Sequence, residues 1–389
     1  MPKKEVLEAI ATLVGFIIGA GILGIPFVVA HAGFLTGLID IIVIGLAIWL
    51  LNLYIGEIVL RTEGSHQLSG YAHIYLGKWG RRAMTFGMVF GLYGALIAYI
   101  VKEGEFLSVL LSPYLGGNPL LYSIVFCAIG SYIVFSGLKA IEKSELFMVA
   151  LVILVVLLIT LISIPYIQVK NLSGFEPKNF LVPFGVILFA YIGMGAIPEL
   201  GEELKGRKSQ LKKVIHWGSA IPMVVYILFA LAVVGVTGIE NATDGAIIGL
   251  GNVIGPSMLI FGILFGILAM ATSFIAVGTA LKEMYCFDYS CSSRLGSSLS
   301  CIIPLALAIV IILAPIENAF FRIIEVTGIV SGGIMGILII AIRWKAVKNG
   351  TREPEYSLKQ HRFIGTALML MFIVGMTYEL LKIFGWILS

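Results

Sequence analysis

At 389 residues, with 59% apolar and 12% charged content and a mean hydropathy of +1.03, the chain is too apolar for a soluble globular domain and reads as an all-α integral membrane protein. Its formal net charge of +4 is small and gives no reason to expect nucleic acid as a partner. Cys127, Cys286, Cys291 and Cys301 have no metal-ligand spacing, and no nucleophile, base and metal constellation occurs, so neither an enzymatic activity nor a cofactor is expected.

Apolar runs long enough to cross about 30 Å of hydrocarbon lie near 6–31, 33–60, 82–112, 119–138, 140–165, 180–204, 209–238, 257–284, 298–315, 317–342 and 361–388, eleven in all. The first carries internal glycines and no small-residue cleavage site, so it reads as a span rather than a signal peptide. It also cannot remain one helix. Ile17 to Pro26 contains Gly19, Gly21 and Gly24; each glycine costs about 1 kcal/mol in a helix, and a proline removes a backbone donor. The expected break is Gly19 to Gly21. At membrane depth such a break persists only where it lines a cavity or binds something.

Span 2 carries Asp40 and Glu57, and the segment 63–80 after it has Leu68, Tyr71, Ala72 and Tyr75 at helical spacing, as an interfacial or re-entrant amphipathic helix would. Span 3 is glycine-rich early, at Gly87, Gly91 and Gly94, and charged late, at Lys102, Glu103 and Glu105. Spans 4 and 5 are nearly free of charge.

At Phe180 the pattern restarts. Span 6 contains Tyr191-Ile192-Gly193-Met194-Gly195 with Pro198 following, a second glycine-x-glycine break. A long span 7 and another short apolar segment, 240–256, lead to spans 8, 9 and 10. The two halves, about 6–165 and 180–343, start on opposite sides of the membrane. They are therefore related by an axis in its plane, and broken helices heading each half point to a midplane binding site. Residues 1–343 are expected to form this core, with 344–389 adding a cytoplasmic linker and the eleventh span outside the repeat.

Of the 26 Lys and Arg, all but Lys102, Lys170, Lys178, Arg322 and Lys382 fall on the side of the N-terminus, Lys139, Lys143 and Lys205 among them. Basic loops stay in the cytoplasm, so the N-terminus is expected inside and the C-terminus outside, with the bilayer of the plasma membrane as the surroundings.

The string Ile18-Gly19-Ala20-Gly21-Ile22-Leu23-Gly24-Ile25-Pro26, with Tyr191 to Gly195 and the pair Glu202-Glu203 closing span 6, resembles the amino acid-polyamine-organocation superfamily. The amino acid/auxin permease and aromatic amino acid permease branches look nearest. The resemblance covers spans 1 to 10 and implies the five-plus-five fold of the bacterial leucine transporter, with amino acid symport by alternating access.

An amino acid suits the two breaks. Free amides and the positive helix end at Gly19, Ala20, Gly21, Ile22 and Leu23 can hold a carboxylate. Free carbonyls around Phe189, Ala190, Tyr191 and Gly193 can accept from an ammonium. Tyr191, Met194, Tyr93 or Tyr99, and Phe265 are candidates for the side-chain pocket, packing being the alternative for each. No acid or base lies in the first break to pair a charged side chain, so a neutral substrate, aromatic ones included, is expected. For a coupling ion, Ala269, Thr272 and Ser273 put a carbonyl and two hydroxyls on one face of span 8, and Gly15 and Ile18 can add carbonyls. This is similar to the sodium site that family members place between spans 1 and 8. The alternative is that both hydroxyls bond back to their own helix. Some proton-coupled relatives have a lysine of span 5 there; span 5 here has only Lys143, at its inner end. If a proton is the coupling ion, Glu57 is the candidate. Glu103, Glu105 and Arg322 are candidates for an outer gate, with an Arg322–Glu325 pair within span 10 as the plainer reading. A channel is disfavoured by the absence of a filter motif, and a metal transporter by the lack of Asp and Asn in the first break; a membrane receptor for amino acids stays open.

Overall fold

The computed structural model describes residues 2–136, 145–204, 206–243, 246–289, 291–314, 316–359 and 361–383; Lys139, Lys143 and Lys205 lie outside them. Among the described residues all regular structure is helical, and ten helices are long and apolar enough to cross a membrane. An eleventh span is the pair Lys4–Ile17 and Gly21–Ala32, which meet at 55°. The remaining spans are Phe34–Arg61, the helix ending at Leu115, Pro119–Ser136, Glu145–Ser163, Phe184–Glu203, Leu211–Thr237, Pro256–Asp288, Ser293–Leu313, Ala319–Asn349 and Arg362–Ile383.

Both breaks have local causes. In span 1 regular pairing ends where the Ile18 amide donates to Val14 (2.8 Å). The Gly19 amide then folds back to Ile17 (3.0 Å), and Leu23 opens the next half-helix on Ala20 (3.0 Å). Pro26 has no N–H to offer one turn back, which weakens the helix just after the glycines. In span 6 the half-helix Phe184–Tyr191 ends, Ile192 to Gly195 are irregular, and Ala196–Glu203 resumes. Pro198 sits in the first turn of that second half, where a missing amide is harmless.

The short segment after the second long span of each half is a helix packed on the protein. In the first half it runs from Leu68, with Leu68, Tyr71, Ala72 and Tyr75 all buried, and ends at Gly77 (φ 75°, ψ −163°) before span 3. In the second half Ile247–Ile254 ends at Gly255 (φ 126°) before span 8. A left-handed corner in the same place in both halves asks for glycine, and repeats the inversion already visible in the broken spans.

Spans 3 and 10 approach closely through glycine. Side chains added at Gly87, Gly91 and Gly94 would meet Met335, Ser331 and Thr327 respectively. At this contact span 10 carries one turn of π-helix, Gly328–Gly332. Its two end glycines lie against Phe189 and Leu188 of the first half of span 6. Span 11 packs on this side too, with Phe372 over Gly336 and Met376 over Gly333.

Candidate functional site

The two breaks touch. A Cβ added to Gly21 would stand 2.5 Å from the Cα of Ala190, so the backbones of spans 1 and 6 meet where each loses helical pairing. Beside this contact is a cavity lined by Gly19, Gly21, Phe189 and Ala190, by Tyr99 of span 3 and by Ser331 of span 10. Gly19 faces polar atoms: an added Cβ would lie 2.8 Å from the Tyr99 hydroxyl and 3.2 Å from that of Ser273.

Helix ends give the cavity its electrostatics. The half-helix Gly21–Ala32 begins here with a positive dipole end suited to an anion; the Gly19, Ile22 and Leu23 amides are taken by Ile17, Gly19 and Ala20, which leaves those of Ala20 and Gly21 to meet a ligand. The other half-helices, Pro2–Ile17 and Phe184–Tyr191, bring their carbonyl ends together. The hydroxyl of Tyr226, fully buried on span 7, lies 2.7 Å from the Ala190 oxygen and 3.0 Å from that of Ile17. It ties the two negative ends to each other. Tyr226 gives no signal in the sequence, since a tyrosine inside an apolar span reads as packing.

A second cavity is lined by Gly15 and Ile18 of span 1 and by Thr272 and Ser273 of span 8, with Ala269 outside its lining. The Thr272 hydroxyl here donates to its own helix at Ala269 (2.9 Å), whose carbonyl also takes the Ser273 amide of the helix ladder, so the two hydroxyl oxygens, rather than that carbonyl, are what span 8 can turn to a cation. Thr12 joins the wall, and Glu199, Glu203, Lys282 and Glu283 line the mouth. Glu199 and Glu283 border both cavities. The lining comes from span 1 before its break, span 6 after its break and the late part of span 8, so both cavities lie on the side of the membrane that holds the N-terminus. On the opposite side the way is packed shut. Ile22, Leu23 and Ile25 are buried, Gly24 faces Ile324 and Val186, and the Phe27 and Phe321 rings stand edge to face at 5.0 Å.

Several candidates lie elsewhere. Tyr191 turns away from the cavity: its hydroxyl donates to Ile41 of span 2 (3.1 Å) and its ring packs on Tyr226 at 5.1 Å. Met194 is fully buried, and Gly193 lies against Ile17. Ala20, Ile22 and Leu23 are buried and are not among the residues that line the cavity. Tyr99 lines the cavity, whereas Tyr93 bonds Tyr285 (2.8 Å) and Phe265 packs on Phe229.

Glu57, the candidate should the coupling ion be a proton, has its carboxylate occupied by hydrogen-bond donors. It accepts from Arg343 (2.9 Å), Arg61 (2.8 Å) and Ser357 (3.0 Å), and so fastens the linker after span 10 to span 2. Arg322 is exposed, and the Arg322–Glu325 pair does not form, because Glu325 takes Lys382 of span 11 at 2.8 Å. Glu105 takes Lys102 at 2.7 Å. Glu103 is fully buried, and neither carboxylate oxygen has a hydrogen-bond partner.

A family model for tryptophan/tyrosine permeases matches residues 2–379. The chain belongs to the tryptophan/tyrosine permease family. Among similar proteins, the tyrosine-specific transport system 1 of Haemophilus influenzae is 29% identical over 287 residues, 69% of this chain and 70% of that protein. Glutamine transporter 2 of Aliivibrio fischeri is 28% identical over 280 residues, 69% of this chain and 72% of that one. Two solved structures share the fold. MhsT in complex with L-phenylalanine matches with a TM-score of 0.70 at 18% identity, covering 95% of this chain and 98% of that one. Mhp1, a nucleobase-cation-symport-1 family transporter in a closed conformation with bromovinylhydantoin bound, matches with a TM-score of 0.65 at 13% identity, covering 96% and 92%. This permease is a multi-pass membrane amino acid transporter with the five-plus-five fold of the bacterial leucine transporter, and not an enzyme.

Proposed function

We propose that this permease carries a neutral amino acid, aromatic ones included, together with sodium by alternating access. The observation that carries the reading is the meeting of the two breaks at one cavity. Within the Gly19 to Leu23 stretch it offers the amides of Ala20 and Gly21 and a positive helix end to a carboxylate, and near Phe189 to Gly193 it offers carbonyls to an ammonium, within mostly apolar walls. The tyrosine and glutamine carriers among its relatives, and the phenylalanine bound to MhsT, are all consistent with a neutral substrate. For sodium, the support is the convergence of Gly15, Ile18, Thr272 and Ser273 on one cavity beside Gly19. Residues 1–343 act as the transporting core in the plasma membrane. The basic residues favour a cytoplasmic N-terminus and an outer C-terminus, and with that orientation the cavities described above open inward.

A thermal-shift panel of the twenty amino acids, in sodium and in potassium, tests this. Binding stabilises by RT ln(1 + [L]/Kd), so neutral amino acids should raise the melting temperature, and more so in sodium. A specific response to arginine or glutamate alone would reject the substrate class.

A proton in place of sodium is the second reading, and one observation favours it. Glu103 is an acid in the membrane interior without a hydrogen-bond partner, one helical turn from Tyr99 toward the sealed side, where the opposite conformation would admit water.

A further inference from the structure

The substrate's backbone can be held by the two breaks, but nothing so far reads the end of its side chain. Most polar groups around the cavity are already engaged. Gln67 donates to Glu199 (3.4 Å), and Glu283 has interactions of its own. Ser331 differs. It borders the cavity, is fully buried, and its hydroxyl has no hydrogen-bond partner.

The local helix explains why. Hydroxyls in these spans ordinarily bond back to the carbonyl four residues earlier, as Thr160 does to Val156 (2.8 Å), Thr237 to Val233 (2.9 Å), Ser300 to Gly296 (2.9 Å) and Thr377 to Ile373 (2.8 Å). Ser331 lies in the π-helical turn Gly328–Gly332, where the wider winding moves that carbonyl out of register. Such turns recur at functional sites. This one is held by packing on both sides, through Gly328 against Phe189 and through Gly91 of span 3, whose missing side chain leaves room for the Ser331 hydroxyl. An unpartnered buried hydroxyl is costly, and a ligand group that satisfies it recovers that cost on binding.

We propose that Ser331 is the specificity residue that hydrogen-bonds the end of the substrate's side chain, so that the permease selects an apolar side chain ending in a hydrogen-bonding group, a phenol above all, over the same body ending in C–H. The remaining walls fit such a body, because Phe16, Met88, Leu92, Ala95 and Met335 are apolar. The inference rests on the neutral amino acid reading above and adds to it a preference for tyrosine over phenylalanine. A site built around a hydrogen bond discriminates because the analogue lacking the partner strands a polar group.

The test is the affinity of L-tyrosine and L-phenylalanine for the full chain, by calorimetry or by competition with labelled substrate in proteoliposomes, in wild type, Ser331→Ala and Gly91→Ala. Wild type should favour tyrosine by about tenfold or more, the effect of one hydrogen bond that would otherwise go unmade. Ser331→Ala should lower tyrosine affinity by about that factor, leave phenylalanine unchanged, and leave the melting temperature of the ligand-free protein equal or higher. Gly91→Ala, which crowds the hydroxyl from span 3, should also narrow the ratio. If Ser331→Ala keeps the wild-type ratio while both amino acids bind, or if its ligand-free melting temperature falls and both affinities drop together, Ser331 is a packing residue and the proposal is overturned, with the neutral amino acid reading intact. If wild type binds neither amino acid, the aromatic part of that reading fails and this proposal with it.

Discussion

The hydroxyl of Tyr226 lies 2.7 Å from the carbonyl oxygen of Ala190, in the last turn of the half-helix that enters the second break. The same hydroxyl reaches Ile17 across the first break at 3.0 Å, so one side chain of span 7 holds the facing ends of two half-helices. Tyr226→Phe keeps the ring and removes this tie. It is expected to lower stability by about 1–2 kcal/mol, the range for a membrane hydrogen bond whose acceptor is left buried. Substrate affinity should fall as well, because the carbonyls beside the cavity lose their fixed positions. Thermal unfolding and equilibrium binding on the same preparation check both effects; a variant with wild-type affinity would mean that packing alone aligns the breaks.

Gly19 and Gly21 look equivalent in the sequence and have different surroundings. A side chain at Gly21 meets the backbone of Ala190 at 2.5 Å, which cannot yield. A methyl at Gly19 meets only side-chain ends, the Tyr99 oxygen at 2.8 Å and the Ser273 hydroxyl at 3.2 Å, which can give way by a small shift of the tyrosine and a change of the serine rotamer. Gly21→Val should therefore be lost from the membrane fraction or be strongly destabilised. Gly19→Ala should reach the membrane near wild-type level and lose uptake, because its methyl occupies the space where a bound ion and a carboxylate would meet. Expression by fluorescence-detected chromatography and uptake in vesicles separate the two; equal folding of both variants would contradict this account of the packing.

How much of this arrangement the sequence carries depends on the kind of signal. Glycine and proline report backbone directly, so the breaks at Gly19 to Gly21 and Ile192 to Gly195 and the inverted halves are readable in advance. Hydroxyls spaced on one helix face are also readable, and Thr272 and Ser273 do meet Gly15 and Ile18 across one cavity. Side-chain direction is not encoded so locally. Tyr191 sits beside a break yet points to Ile41, while of the two span 3 candidates, which the sequence does not separate, Tyr99 points at Gly19 and Tyr93 bonds Tyr285. Charges inside spans mark importance without marking role. Glu57 turns out to be bound by two arginines, one from span 10, and only the tertiary fold brings Arg343 to it.

That pairing makes its own prediction. Glu57 is fully buried and Arg343 is 1% exposed, so deleting the acid strands a guanidinium, while Arg61 can turn to solvent. Glu57→Leu is expected to destabilise by about 3–5 kcal/mol, and Glu57→Leu/Arg343→Met to recover much of the loss, since a buried ion pair replaced by apolar groups is often near neutral. Ser357 and Leu358 are anchored on the same acid. The single variant should therefore expose the 350–359 segment to limited proteolysis, whereas an intact segment would show that its other ties, the Tyr356 hydroxyl to Leu53 (2.7 Å) and the Thr351 amide to Arg61 (2.9 Å), suffice to hold it.

The last prediction concerns the coupling ion. One charge moving through ~100 mV releases about 2.3 kcal/mol, and 1.4 kcal/mol is a factor of ten, so one cation can sustain roughly a fiftyfold gradient of a neutral solute. To do so the ion must alter substrate affinity. The Thr272–Ser273 cavity is placed for that, because Ser273 stands by Gly19 and Ile18 closes the first half of span 1, so a cation there would brace the same backbone that meets the carboxylate. Linkage makes the effect mutual. In Thr272→Ala/Ser273→Ala, sodium should no longer raise substrate affinity, while sodium-free affinity stays near wild type. Glu103→Gln removes the buried acid one turn from Tyr99 that could carry a proton and should leave the sodium response untouched. Titrating substrate affinity against sodium at fixed pH, and against pH in its absence, discriminates between the ions. If wild type ignores sodium, follows pH, and loses that dependence in Glu103→Gln, the coupling ion is a proton and the hydroxyls of span 8 serve only their own helix, as Thr272 already does toward Ala269.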